Sequence, residues 1–506
     1  MSSPLNAARA SLLLAPSGMV LAAIASILIA RCLGPELYAD YATMMALLAW
    51  LLLLAEGGCN AGLARFLRDA EIVNARGSLY RILQSRRWSL ALILTVFLIW
   101  LGPVWAKSMD LQVERWQPRN FVLLGLLAAV MLHGQLANSA LMAAFRHKRM
   151  LLLGQSMMVA RAVTLGLLAG MLRQPVTLVV ALLILATIES SMLHYTATSH
   201  FQQEQTPLPC GMANSAQAHG LVSLFDKLTT AFNSAPLLLL VLVGAHSRSE
   251  LAMLAIASDL LQKLLAVVGM PISNLVYPML NESRGDFERY RRQIARLGGL
   301  VTVLFATSAA GIAVCLPQGL PLLLGNTYSP AVPIAFIWLL PLFVEAGVRM
   351  VWGSALLTLD QYRWLVGFNL VSGTVSLLLI FVARSWSLTT LLVLFGVLRL
   401  SFALILLARA AHLRLLPSSS RPVGIVVAAG VSCALSLGVQ ALLAPMQHAL
   451  QLLVGLSTYV LVMLTSLRKF PLIPGPAHDA LCQLVGKRMK FLAYIIRPPT
   501  REHQSA

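Results

Sequence analysis

Twelve long apolar stretches in this chain fall into two sets of six, and each stretch of the first set recurs roughly 210 to 215 residues later. The first set centres near Val20, Leu51, Val96, Val130, Ala160 and Ile184; the second near Asn233, Ala266, Thr307, Leu340, Gly373 and Leu398. Each is long enough to cross a bilayer core, which takes roughly 20 mainly apolar residues at the helical rise. Two more follow at about 422–443 and 449–467, without counterparts in the first half. The spacing therefore predicts an all-α polytopic membrane protein of about 14 transmembrane helices: two parallel six-helix repeats plus two C-terminal helices.

A six-span unit returns the chain to its starting side, so the two repeats are related by an axis along the membrane normal. Membrane proteins built this way bind substrate between their halves. Short identities support the duplication: Ser139-Ala140-Leu141-Met142 pairs with Ser354-Ala355-Leu356-Leu357, each followed by a polar hinge. The expected divisions are an N-terminal lobe at 1–195, a cytoplasmic linker at 196–218, a second lobe at 219–412, two additional helices at 422–467 and a tail at 468–506. The linker is polar, holds Pro207 and Pro209, and its stretch 200–209 lacks Lys and Arg, as a flexible connection would.

Hydrophobic residues make up 58% of the chain and charged residues only 11%, which places it in the membrane class. In a soluble protein a net charge of +19 would suggest nucleic acid; here the placement of the basic residues explains it without one. With a cytoplasmic N-terminus, 26 of the 38 fall in inward segments and 6 in outward ones, which sets both termini on the cytoplasmic side. The run after Arg9 is read as an uncleaved first span, because it leads into a second without a cleavage site. The basic inward loops 66–87 and 281–296 are expected to be helical, and the outward loops are too short to form a domain. After Pro471, Pro474 and Pro476, apolar residues from Leu481 to Ile496 recur at helical spacing beside Lys487, Lys490 and Arg497, an amphipathic helix suited to anionic headgroups. The six cysteines are scattered and offer neither a disulfide framework nor metal spacing.

No phosphate-binding loop, dinucleotide fingerprint, paired-Cys zinc pattern or His-Glu-x-x-His occurs, so no cofactor, metal or enzymatic site is expected. What remains is charge inside the spans, which is costly there and usually faces a polar interior. The cations are Arg161 alone in the fifth span, Lys227, Lys263, Arg349, Arg399 and, at the outer end of the first span, Arg31. The acids are Glu56, Glu189, Asp226, Asp259 and Glu345. Asp259 precedes Lys263 by four residues and Glu345 precedes Arg349 by four, so each pair shares a helical face. Two readings stand for these pairs: they neutralise each other and hold the fold, or substrate or a proton competes for one partner. Arg31 and Arg399 also admit a snorkelling reading.

Polar lining is expected from Gln135 and Asn138, with Ser139, in the fourth span. In the seventh, Asp226, Thr230, Asn233 and Ser234 form one stripe along a helix. His133 and His194 read as solvated or hydrogen-bonded groups rather than catalytic ones. Gly57-Gly58, Pro236, Gly269-Met270-Pro271 and Pro341 are helix breakers placed where half-helices could bend.

Three motifs carry a family resemblance. Arg31-Cys32-Leu33-Gly34-Pro35-Glu36-Leu37-Tyr38-Ala39-Asp40-Tyr41-Ala42 resembles the first outer loop of Wzx-type polysaccharide flippases, of the multidrug/oligosaccharidyl-lipid/polysaccharide (MOP) exporter superfamily. Glu56-Gly57-Gly58-Cys59-Asn60-Ala61-Gly62-Leu63-Ala64-Arg65 resembles the end of their second helix, and Leu324-Gly325-Asn326-Thr327-Tyr328-Ser329-Pro330-Ala331 the loop between helices nine and ten. The departures are Ala39 where the family has Gly and Gly58 where it has Leu.

The resemblance implies a MATE-like fold in a bacterial inner membrane. It also implies movement of undecaprenyl-pyrophosphate-linked oligosaccharide from the cytoplasmic to the periplasmic leaflet by alternating access, with membrane lipids, a polysaccharide polymerase and a chain-length regulator as partners. The intramembrane cations would meet the pyrophosphate, and the two extra helices the lipid tail. A lipid II flippase or multidrug exporter of the same superfamily is the nearest alternative, and a membrane polymerase or ligase a more distant one.

Overall fold

The computed structural model describes residues 4–109, 116–143, 147–201, 206–283, 285–359, 361–416, 421–443 and 447–469. The amphipathic stretch expected over 481–496 lies outside the described residues. Among the described residues the chain forms sixteen α-helices, a 3-10 turn at Asn326–Tyr328 and a π-helical segment at Arg349–Gly353. The one extended pairing there is an isolated bridge between Val243 and His246.

Twelve helices among the described residues are long and apolar enough to cross a membrane. Two differences from the fourteen expected spans have local causes. Helix α1 (Pro4–Ala55) holds both the first and the second apolar stretch; at 52 residues it would far exceed a bilayer if it were straight. It is broken at Gly34, whose φ of 73° and ψ of 170° are non-helical. Glycine adopts that backbone without a steric penalty, and the following Pro35 has no N–H for the ladder.

The seventh stretch is the second difference. Helix α7 (Met212–Ala231) stops short of it and the eight-residue α8 (Ala235–Leu242) resumes beyond, so neither counts as a span by length and apolarity. Ser234 is extended at the junction, and Pro236 sits in the first turn of α8 where its missing N–H costs nothing. The polar stripe expected along one helix is therefore interrupted. Asp226 and Thr230 belong to α7, whereas Asn233 and Ser234 occupy the break.

The chain divides into two compact units. The first comprises Met1–Lys263 with Val366–Leu391. In it α1 packs on α4 (Pro118–Ala143), α5 (His147–Leu172) and α8; α4 also packs on α3 (Arg76–Ser108) and α6 (Pro175–Phe201); and α2 (Cys59–Ile72) packs on α7. The α2–α7 contact is backbone to backbone. A Cβ on Gly220 would overlap the carbonyl of Gly58, and one on Gly62 the carbonyl of Ala216. Gly57 and Gly58 both have positive φ, which turns the chain between α1 and α2 just after Glu56.

The described part of the expected flexible linker is anchored rather than loose. Thr206 donates through Oγ1 to the Val73 carbonyl at 2.5 Å and accepts from Ser78 Oγ at 2.8 Å. Arg86 reaches α7 through Gln217 and Asn214, at 2.6 Å each.

The second unit comprises Leu264–Leu365 and Leu392–Ala506. Its centre is α10 (Phe287–Leu324), against which α11 (Ala331–Val348), α15 (Arg421–Leu442) and α16 (His448–Lys469) pack. The two additional C-terminal helices bond to the backbone of α10. Tyr459 donates to the Thr307 carbonyl at 2.6 Å, and Gln440 to that of Val314 at 3.1 Å.

Candidate functional site

In the structure Arg161, Lys227, Lys263, Arg349 and Arg399 each meet a carboxylate. In the first unit Lys227, on α7, places Nζ 2.7 and 3.0 Å from the two carboxylate oxygens of Glu56. Glu56 is held by the Gly57-Gly58 turn and is buried, while the Lys227 side chain remains 43% exposed, so the pair has one open end. Arg161, on α5, pairs with Glu189 on α6. Lys263 bonds Asp259 Oδ2 at 2.5 Å, one turn away on α9 (Arg248–Glu282), and reaches across to Ser26 of α1. Tyr41 lies close enough to feel both Asp259 and Arg161, so these two pairs share one polar region.

In the second unit Glu345 carries two partners. Arg349 Nε donates to Oε1 at 2.9 Å from the same helix face, and Arg399 Nε, on α14 (Leu388–His412), donates to Oε2. Arg399 also stacks over Trp338, 5.2 Å from the ring centroid, and Trp338 stacks on Phe395. At 7% exposure Arg399 does not snorkel. Two guanidiniums thus share one carboxylate in an aromatic setting.

Of the remaining candidates, Arg31 is exposed. Asn233 is buried and accepts from Ser376 at 2.5 Å, and Thr230 and Asn138 are half-buried. The side chain of Asp226 lies outside the described residues.

A family model described as "Polysaccharide biosynthesis protein" matches residues 27–333, more than half of the chain. The chain belongs to the polysaccharide biosynthesis protein family. The matched region contains the pairs made by Lys227, Arg161 and Lys263, and the Glu345 triad falls beyond it. No curated protein sequence matches significantly.

Solved structures give the fold. The lipid II flippase MurJ in an inward closed conformation superposes with a TM-score of 0.70 at 10% identity, covering 89% of this chain and 97% of that one. An inward-facing multidrug resistance MATE family transporter of the MOP superfamily gives 0.60 at 14% identity, covering 78% and 94%. The Vibrio cholerae MATE transporter VcmN gives 0.56 at 15%, covering 82% and 98%. The chain thus has the MurJ and MATE fold.

Among the described residues the most deeply buried charged side chain is one expected in an inward loop. Arg87 is 1% exposed. It donates to Asn60 Oδ1 at 2.9 Å and to Gln135 Oε1 at 3.3 Å, which gives the expected lining residue Gln135 a specific partner. Around Arg87 stand Gln84, Tyr80, His133 and His194, joined by hydrogen bonds on α3, α4 and α6. A signal for this was present: Leu79, Tyr80, Leu83, Gln84, Arg87 and Ala91 recur at helical spacing, and all lie on the buried face of α3.

Proposed function

We propose that the protein is a flippase that moves undecaprenyl-pyrophosphate-linked oligosaccharide from the cytoplasmic to the periplasmic leaflet of a bacterial inner membrane, for surface polysaccharide biosynthesis. The observation that carries this reading is the set of five paired cations, four of them on helices long and apolar enough to cross a membrane, in a member of a polysaccharide biosynthesis family. A diphosphate headgroup is a strong acceptor for lysine and arginine donors, and in a low-dielectric interior it competes with a carboxylate that already holds them. Lys227, with its exposed end, and the Glu345 triad, with two guanidiniums on one carboxylate, are the first positions at which the phosphates exchange with Glu56 and Glu345.

Alternating access then follows from partner exchange. A cation that has released its carboxylate to bind phosphate leaves that carboxylate to be protonated or paired anew, which favours a different packing of the helices. The lobes that rock are taken as 1–195 and 219–412, with both termini cytoplasmic and the helices over 422–467 receiving the lipid chain. A polysaccharide polymerase and a chain-length regulator would act on the delivered product.

A second reading, a lipid II flippase, is favoured by the extent of the MurJ superposition. Proteoliposomes supplied in parallel with labelled lipid-linked oligosaccharide and labelled lipid II separate the two. Faster translocation of the oligosaccharide is expected, and translocation of lipid II alone would transfer the assignment.

A further inference from the structure

The polar cluster around Arg87 contains two imidazoles in direct contact. His133 of α4 and His194 of α6 have ring centroids 4.3 Å apart and an interplanar angle of 40°. His194 Nδ1 lies 3.0 Å from the Tyr80 hydroxyl, and His133 Nδ1 faces the amide nitrogen of Gln84. The Gln84 carbonyl oxygen, in a side chain only 8% exposed, has no hydrogen-bond partner. Arg87 and Tyr80, both of α3, are the charged and titratable groups that face the pair. Glu56 and Cys59 interact with Arg87 in turn. Among the described residues no carboxylate lies within ion-pair distance of either imidazole.

We propose that His133 and His194 form a one-proton site at which the transport cycle takes up and releases its coupling ion. This rests on reading the chain as a transporter. With both rings neutral, the Gln84 amide donates to His133 Nδ1 and the Tyr80 hydroxyl donates to His194 Nδ1. When hydronium delivers a proton to either Nδ1, leaving water, that nitrogen changes from acceptor to donor. A half-turn of the Gln84 amide then presents its unused carbonyl oxygen to His133, and the Tyr80 oxygen accepts from His194 after its O–H rotates away. Each Nδ1 then has a partner in both protonation states without moving a helix. Two imidazolium rings in contact inside a membrane domain would repel strongly, so the pair holds a single proton, and its titration belongs to the pair rather than to either residue.

Trp88 supplies a direct readout, since its ring centroid lies 5.6 Å from that of His133 and a protonated imidazole quenches a neighbouring indole. In nanodiscs, the emission difference between the wild type and Trp88→Phe should fall in one single-proton step as the pH is lowered through the imidazole range, about pH 8 to about pH 5. The step should vanish in His133→Gln, whose amide still bonds to Gln84. A flat difference emission in the wild type overturns the proposal. In proteoliposomes, an imposed pH gradient should accelerate lipid-linked oligosaccharide movement several-fold in the wild type, and not in the His133→Gln/His194→Gln double variant. Equal acceleration in that variant overturns it as well. If the wild type moves no oligosaccharide, the transport reading fails, while the Trp88 titration still decides whether the proton site exists.

Discussion

Glu345 is the residue on which most charge depends, because its one carboxylate bonds both Arg349 and Arg399 in a buried aromatic setting. Glu345→Gln leaves two guanidiniums facing a neutral amide, and breaking buried pairs of this kind costs about 3–5 kcal/mol. A marked fall in the thermal unfolding temperature in detergent is expected, partly restored by adding Arg399→Met. An unchanged temperature would mean that solvent screens the triad. For Arg161 and Glu189 the expectation concerns transport: Arg161→Ala and Glu189→Gln should each abolish oligosaccharide movement while the protein stays inserted and folded. Unimpaired movement in Arg161→Ala removes that pair from the site.

The two pairs spaced by four residues, Asp259 with Lys263 and Glu345 with Arg349, were legible in the sequence because helical periodicity alone brings them together. Lys227 finds Glu56 across 171 residues, Arg161 finds Glu189 across 28, and Arg399 finds Glu345 across 54. Those partnerships depend on which helices pack, and no local pattern encodes that.

At the scale of elements, glycine decides how closely α2 and α7 approach. Gly220→Val would drive a branched side chain into the backbone of Gly58, and no side-chain rearrangement relieves a clash with backbone. The helices must then separate, and Glu56 and Lys227, which flank this contact, lose their registry. The expected outcome is poor yield of folded protein by size-exclusion profile. A normal profile with transport intact would show that the close approach is dispensable.

Element boundaries were the least legible part of the sequence. The apolar stretch around Asn233 gave the composition of a span but not its continuity, because Asn233 and Ser234 offer the backbone side-chain alternatives to helical bonding just before Pro236. The break at Gly34-Pro35 left the opposite trace, two stretches within one long helical element. Arg87 was overlooked as a site residue for a related reason. Beside Arg81 and Arg86 it looks like part of a basic loop, whereas its helical face, shared with Leu83, Gln84 and Ala91, is buried.

For the whole molecule, class and family were legible far earlier than the site. Repeated apolar stretches and the asymmetry of basic residues suffice for a polytopic membrane protein, since both follow from the bilayer itself. The outer-loop and second-helix motifs pointed to the polysaccharide branch, to which the family match assigns the chain, although their residues serve different ends. Glu56 holds a cation, Gly57 and Gly58 form the turn that presents it, and Gly34 breaks α1. A resemblance read from such motifs carries the fold with it, because the glycines and prolines that mark the motif are the ones that shape the backbone.

The direct test of the central claim is reconstitution of the purified full-length protein into liposomes carrying fluorescently labelled undecaprenyl-pyrophosphate-linked oligosaccharide, with accessibility of the glycan on each leaflet followed over time. The account predicts movement well above protein-free liposomes, lost in Arg161→Ala. No movement above that background, with several glycans tried, would contradict it.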